Sequence, residues 1–466
     1  MYIHLNGFIL TVDARTQQLL EASPMPLLLR MATPNMLAFL IQASVSMAEV
    51  WFIGKLGTLP LAAIALVFPL LMLMQMMSGG AIGGAVTSSV ARALGGANRN
   101  RGEQLVWHAL IIAVLGAVAF LLFFALFGEE FLIFLGGEGA ILESAMDYCW
   151  VLFPGAGLIW IMNISSSIYR GMGNMQFPAS MMIVSAVIQV PLSGALILGW
   201  WGAPQLGITG AAVSTVIVSG LIAVVLLARL MAGKETLKLH PESFHLQTDL
   251  FRDIFRVALP ASLSPIVTVL TIMSLTGIVA RFGPAALAGY GIGSRLEFLL
   301  IPLVFGIGAA MTSIVGVNIG AGQWQRAERI GWLGGASAGL LAGLVGVTLA
   351  LFPSIWVGLF TSEPMTEFAA TRYLQIVGLC FVFQGMGLSL YFASQGAGNV
   401  TWPIIGTLLR FVVAVGGAYV AVNFYSAELE MVYYFAAAGM FVFGSITVAS
   451  LALGAWRPKG EVNSDQ

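Results

Sequence analysis

The segment QLVWHALIIAVLGAVAFLLFFALF, residues 104–127, contains no Asp, Glu, Lys or Arg. A helix rises about 1.5 Å per residue, so a stretch of this length reaches across the roughly 30 Å hydrocarbon layer of a bilayer. The rest of the chain has the same character. Of its 466 residues, 59% are hydrophobic and 9% are charged, whereas a soluble domain carries roughly 25% charged residues. So little polar surface leaves lipid as the solvent for most of the chain. Many of the 55 glycines fall inside the apolar runs, as membrane helices tolerate.

Comparable runs lie near 27–52, 60–88, 104–127, 142–168, 178–200, 207–231, 254–280, 285–316, 327–352, 366–393, 402–424 and 431–455. They predict an all-α membrane protein of twelve transmembrane helices, spans 1 to 12. The one clearly polar connector is GKETLKLHPESFHLQTDLFR, residues 233–252. With twelve spans, one side of the membrane receives Arg15, Arg92, Arg99, Arg101, Arg170, Arg326, Arg457, Lys459 and most other basic residues. The opposite side receives Lys55, Arg281 and Arg372 with Glu129, Glu130, Glu138, Glu363, Glu428 and Glu430. By the positive-inside bias, both termini and the connector are expected in the cytoplasm; the location expected is a plasma membrane, the bacterial inner membrane. The organisation expected is a lead-in over 1–18, a first lobe over 19–232 and a linker over 233–252. A second lobe follows over 253–456 and a tail over 457–466. No cleavable signal peptide is expected, since Asp13 and Glu21 interrupt any basic leader and no short apolar region follows them.

Several classes are disfavoured. Cys149 and Cys380 provide neither a disulfide framework nor a cysteine metal site, and His4, His108, His240 and His245 have no ligand spacing. A net charge of -1 gives nucleic acid no purchase. No Walker-type loop occurs, so ATP is not expected to drive the protein, and no HExxH, GxSxG or paired-Asp motif points to an enzyme. No cofactor is expected. A monomer is.

The chain repeats itself at an offset of about 226 residues. Arg30-Met31-Ala32-Thr33-Pro34 matches Arg256-Val257-Ala258-Leu259-Pro260, and Lys55-Leu56-Gly57 matches Arg281-Phe282-Gly283. Leu94-Gly95-Gly96-Ala97 with Arg101 and Glu103 matches Ile319-Gly320-Ala321-Gly322 with Arg326 and Glu328. The sharpest pair is Gly171-Met172-Gly173-Asn174 with Pro178 against Gly396-Ala397-Gly398-Asn399 with Pro403. Each half holds an even number of spans, so both insert the same way. The halves are then expected to be pseudo-symmetric six-helix bundles about an axis along the membrane normal. Two such lobes can rock to expose one site to each side in turn, which points to a transporter.

In these residues the chain resembles the multidrug and toxic compound extrusion (MATE) transporters. The likeness also includes Leu20-Glu21-Ala22-Ser23-Pro24, Glu49-Val50-Trp51-Phe52-Ile53-Gly54 and Leu206-Gly207-Ile208-Thr209-Gly210-Ala211-Ala212. It covers roughly residues 19–455. It implies two helical bundles with a large cleft, and antiport in which inward H+ or Na+ drives export of amphiphilic, often cationic, compounds. An exporter or flippase of lipid-linked or anionic metabolites on the same scaffold is the alternative. A channel fits less well, because no ring of selectivity residues is visible.

Ionisable residues within spans cost a few kcal/mol to insert, so each is a functional candidate. Glu49 lies in the outer third of span 1, where the MATE pattern carries an acid, usually Asp. Such a carboxylate can load a proton or help to hold Na+. The resemblance also places Asn and Asp on helix 5 and Thr on helix 6 beside it. Counting from Pro178, their counterparts here are Gln189, Ser193 and Thr215. The second carboxylate is therefore missing, which disfavours Na+, an ion that prefers several hard oxygens and a negative shell. Arg295, Glu297 and Arg410 occupy spans of the second half, as cleft residues or as a structural Glu–Arg pair. Leu275 stands where the repeat mate of Glu49 would be, so the coupling chemistry is expected in the first lobe. Gln42, Gln75, Asn163, Gln375 and Gln384 can line a cleft or bond helix to helix. The clustered Met72, Met74, Met76 and Met77 suit an adaptable surface. Gly79, Gly80, Gly83 and Gly84 suit close helix packing in span 2.

Overall fold

The structure, a computed structural model, describes residues 2–5, 8–11, 13–240 and 244–457. Lys459, all of the expected tail beyond Arg457, and residues 241–243 of the connector lie outside the described residues.

Among the described residues, eleven helices are long and apolar enough to cross a membrane. They are Pro24–Gly54 (span 1), Thr58–Gly95 (span 2), Arg99–Phe134 (span 3), Gln176–Leu198 (span 5), Ile208–Met231 (span 6) and Thr248–Ala280 (span 7). Pro284–Gly320 (span 8), Trp324–Leu351 (span 9), Pro364–Ala397 (span 10), Thr401–Tyr425 (span 11) and Leu429–Ala452 (span 12) complete the set. Span 4 is a pair, Gly139–Leu152 and Ala156–Gly171, bent by 56°. An unbroken helix is expected there from hydropathy, but Pro154 sits in the turn between the two pieces and lacks the N–H that would continue the first. Span 7 starts at Thr248, with Asp249 in its first turn, so residues expected as linker are already helical. A carboxylate in the first turn favours that start. Before span 1 come a short antiparallel ribbon, Tyr2–Leu5 with Phe8–Thr11, and a helix, Ala14–Glu21. Outward leucines, phenylalanines and valines such as Leu126, Phe127, Leu221 and Val224 stay exposed, as suits side chains solvated by lipid.

The chain forms two compact units, Met1–Gln17 with Leu37–Ala258, and Gln18–Met36 with Leu259–Gln466. Spans 1 and 7 each pass from one unit into the other, close to the repeat-matched Pro34 and Pro260. The repeat is visible in single contacts. Thr87 of span 2 donates to the Ser167 carbonyl of span 4, and Thr312 of span 8 donates to the Phe392 carbonyl of span 10, each at 2.9 Å. Gly171 and Gly396 lie against the backbones of these same threonines, where a Cβ would meet the carbonyl oxygen. Between lipid-bathed helices, such close approach and hydrogen bonding replace the hydrophobic effect as the source of association.

The Gly-x-Gly-Asn loops also do the same work twice. Gly173 and Gly398 have φ of 73° and 76°, a left-handed turn that favours glycine. The asparagine that follows ties each loop to the segment after its half's last span. Asn174 donates to Glu235, and Asn399 to the Ala455 carbonyl at 2.8 Å. Within the first unit, Arg92 and Arg101 pair with Asp253 at 2.9 and 3.2 Å at the start of span 7, and Arg101 also pairs with Asp249. Within the second, Asn318 and Arg326 donate to the carbonyls of Leu19 and Ala22, ahead of span 1. The repeat-matched Arg101 and Arg326 thus each hold the approach to a half's first span.

Candidate functional site

Span 5 carries Gln189 and Ser193 four residues apart, hence on one helix face. Pro191 lies between them and leaves one carbonyl of the preceding turn without its helix partner. Both side chains point at Glu49 of span 1. Gln189 Nε2 and Ser193 Oγ each donate to Glu49 Oε1 at 2.7 Å. The second hydrogen of the Gln189 amide goes to Thr215 Oγ1 of span 6 at 2.8 Å. Ser193 Oγ and Ser214 Oγ lie 2.8 Å apart, and Ser214 gives its one hydrogen either to Ser193 or to the Ala211 carbonyl of its own helix, 2.9 Å away. Gln189, Ser193 and Ser214 are buried, while Glu49 and Thr215 are half-buried. One turn further along span 1, Phe52 meets the edge of Trp200 at 5.2 Å.

The four residues expected to form the cation-coupling site, Glu49, Gln189, Ser193 and Thr215, are therefore in one hydrogen-bonded chain. Ser214 was missed; its place beside Thr215 was the only available signal. The arrangement is chemically lopsided. Oε1 of Glu49 receives two donors, and the nearest neutral groups present hydrogens to the carboxylate rather than spare oxygens. No group of three His, Cys, Asp or Glu side chains with metal-binding geometry occurs among the described residues.

The second-half candidates separate into two places. Glu297 accepts a hydrogen bond from Tyr373, and Arg410 donates to Gln384 Oε1 at 2.8 Å. Glu297 and Arg410 interact electrostatically but form no ion pair. Glu297 and Gln384 also line a cavity of about 10 Å³, near the lower limit for one water. Tyr290 and Tyr433 meet Tyr373 edge-on at 5.5 and 5.2 Å; these tyrosines carry no sequence signal of a shared site. Arg295 is exposed, stands over the Phe360 ring at 5.6 Å, and does not join the cluster. Gln75 accepts from Asn163 at 3.0 Å, and Asn163 also donates to Ser78. This ties span 4 to a π-helical turn, Met76–Ala81, in span 2, so Gln75 serves as a helix–helix bond. Gln42 is half-buried in span 1, and its backbone carbonyl accepts from Ser46 at 3.5 Å.

The model of the family described as MatE matches residues 34–194 and again residues 260–420. Each end of the second match lies 226 residues after its counterpart in the first, the offset read from the loops. The chain belongs to the MatE family. It is thus one of a family of multi-pass membrane transporters. Among its relatives is a probable multidrug resistance protein NorM of Thermotoga maritima, 27% identical, with 82% of this chain and 82% of that protein aligned. Another is the FAD transporter of Shewanella oneidensis, also 27% identical, over 81% of this chain and 82% of that one. The fold is that of a solved MOP superfamily transporter from Pyrococcus furiosus, with a TM-score of 0.87 at 22% identity. That likeness spans 95% of this chain and 99% of the other. An outward-facing multidrug resistance MATE transporter matches at a TM-score of 0.85 and 22% identity, over 96% and 98% of the two chains.

Proposed function

We propose that the protein is a proton-coupled antiporter that exports amphiphilic, often cationic, compounds by alternating access, with Glu49 as the proton carrier. The observation that carries this reading is the closed chain Glu49–Gln189–Thr215 with Ser193–Ser214 in the first half. When ionised, Glu49 is stabilised by two donors at 2.7 Å, so a carboxylate can persist away from water. When protonated, it becomes an uncharged acid suited to the apolar surround. A group that is tolerable in both states can be loaded on one side of the membrane and discharged on the other. Na+ asks for several oxygens at once, and here the Gln189 amide spends both its hydrogens inside the site. That favours H+ over Na+. The face bearing most of the Lys and Arg is taken as cytoplasmic, and the bacterial inner membrane as the location.

A second reading, export of an anionic metabolite, is favoured by one observation: a relative over most of the chain is named an FAD transporter. Arg410 and the exposed Arg295 are the cations it would use. The experiment that separates the readings is transport in proteoliposomes, with H+ and Na+ gradients imposed one at a time. An amphiphilic cation such as ethidium and an anion such as FAD serve as alternative substrates. The proposal expects ethidium efflux driven by H+ alone. FAD transport that fails in Arg410→Gln would replace it with the second reading.

A further inference from the structure

A separate cavity, remote in sequence from Glu49, occupies the end of the first unit where most of the basic residues collect. Its volume is about 640 Å³, within the range of small-molecule sites. Its walls come from three places: residues 13–16 ahead of span 1, the loop between spans 2 and 3, and residues 233–238 after span 6. The loop after span 6 is not a loose tether. Trp107 of span 3 donates to the His240 carbonyl at 3.2 Å, and the Gln247 amide donates to buried His108 at 3.0 Å. His240 and Gln247 are thus held against span 3, and the lining segment is held through Glu235 to Asn174 and Arg229.

The ionic lining is unbalanced. Four cations, Arg15, Arg99, Lys234 and Lys238, face two acids, Asp13 and Glu235. Both acids are already committed. Glu235 accepts from Arg15 at 3.1 Å, from Arg229 at 2.7 Å and from Asn174. Asp13 accepts from Thr236 at 3.0 Å and from the backbone N–H of Arg15. Arg99 is balanced by Glu103 one turn along its own helix. Lys234 and Lys238 have no acid partner among the described residues. A preformed cavity at the ends of membrane spans, with two uncommitted ammonium groups and saturated acids, attracts a multiply charged anion. Basic pockets at this depth suit phosphate-bearing headgroups.

We propose that this cavity binds a phosphate-bearing anion through Lys234 and Lys238, with Arg15 and Arg99 beside them. The phosphate belongs to an anionic lipid headgroup or to a free phosphate compound. Arg15 sits on the helix ahead of span 1 and Lys234 directly after span 6, so an occupant would brace the two ends of the first half. The inference does not rest on the transport reading.

The test uses the purified full-length protein in detergent, with binding followed by thermal shift and by native mass spectrometry. The probes are short-chain phosphatidylglycerol, cardiolipin, phosphatidylcholine and inorganic pyrophosphate. A saturable stabilisation by the anionic lipids, absent with phosphatidylcholine and pyrophosphate, assigns the lipid source. Stabilisation by pyrophosphate as well assigns the free phosphate source. In either case Lys234→Ala/Lys238→Ala should weaken binding by roughly 25-fold, the factor that corresponds to about 1 kcal/mol for each of two lysines near the surface. Among the described residues the two side chains carry no hydrogen bond or ion pair, so the variant is expected to keep the unliganded stability of the wild type. Lys234→Arg/Lys238→Arg should restore binding and covers the case of a misfolded double alanine. No response to any anion, or an equal response in wild type and the alanine variant, overturns the proposal.

Discussion

Glu235 offers a sharp test of how the first half is held together, because one side chain joins three segments. Its side chain is 2% exposed and receives Arg15 and Arg229, whose side chains are 39% and 38% exposed, and buried Asn174. In Glu235→Ala the three partners fare differently. The Asn174 amide loses its acceptor in a buried place, at a cost of about 1–2 kcal/mol. Arg229 can turn its charge to water and keeps the Phe177 ring, 4.1 Å from its guanidinium, so its loss is about 0.5–1 kcal/mol. Arg15 is as exposed and adds at most about 0.5 kcal/mol. The expected destabilisation is about 1.5–3.5 kcal/mol, which lowers the unfolding midpoint by roughly 3–14 °C for a unit of this size. Tryptophan fluorescence during heating of the detergent-solubilised protein reads this directly. The control is Asp249→Ala, whose side chain is 63% exposed in its pair with Arg101; it should move the midpoint by only a degree or two. If the two variants shift equally, Glu235 is a surface charge and the reasoning is wrong.

Three further outcomes follow from the same contacts. In Gly83→Ala the new methyl would lie 2.6 Å from Ser167 Oγ and 2.7 Å from the Ser78 carbonyl oxygen. A loss of about 1–3 kcal/mol is expected, visible as a lower midpoint and lower yield. Ser193→Ala and Gln189→Leu each remove one donor from Glu49 and should cut proton-driven efflux by about tenfold or more, since a bond to a charged group is worth about 1.5–3 kcal/mol. Both should also lower the midpoint by roughly 3–12 °C, since each leaves the carboxylate short of a donor, and full efflux in either would argue against the shared site. Glu363 caps span 10, and its bonds to Thr366 hold its carboxyl below the usual carboxylate value. A lowered folded-state value stabilises above the ordinary carboxylate range and is lost as pH falls through the lowered one. The stability gap between wild type and Glu363→Gln should therefore be open at pH 7 and close in acid.

Much of this architecture was legible in the amino-acid order. The spans follow from hydropathy, and the duplication from loops whose residues have backbone duties, as Gly173 and Asn174 have in one half and Gly398 and Asn399 in the other. Glu49, Gln189, Ser193 and Thr215 could be grouped because the resemblance supplied a register that hydropathy does not. What stayed hidden depends on packing between distant segments. Asp253 stood at the first position of the expected second lobe with nothing to mark a partner, yet it pairs with Arg92 and Arg101. Glu297 and Arg410 suggested a pair, but Tyr373 and Gln384 took the bonds. Glu235 sat in a polar connector, where nothing in its neighbours announced a buried carboxylate. The break in span 4 was marked only by Pro154, and prolines elsewhere in the chain, such as Pro191, sit within continuous helices.

The most direct measurement is proton-driven ethidium efflux from proteoliposomes containing wild type or Glu49→Gln, with substrate binding assayed in parallel. Gln keeps the size of the side chain and an acceptor for Ser193 but cannot take up a proton. Abolished coupled efflux, with binding and thermal midpoint retained, is the expected result. Full proton-driven efflux in Glu49→Gln would contradict the account, because the carrier would then have to lie elsewhere.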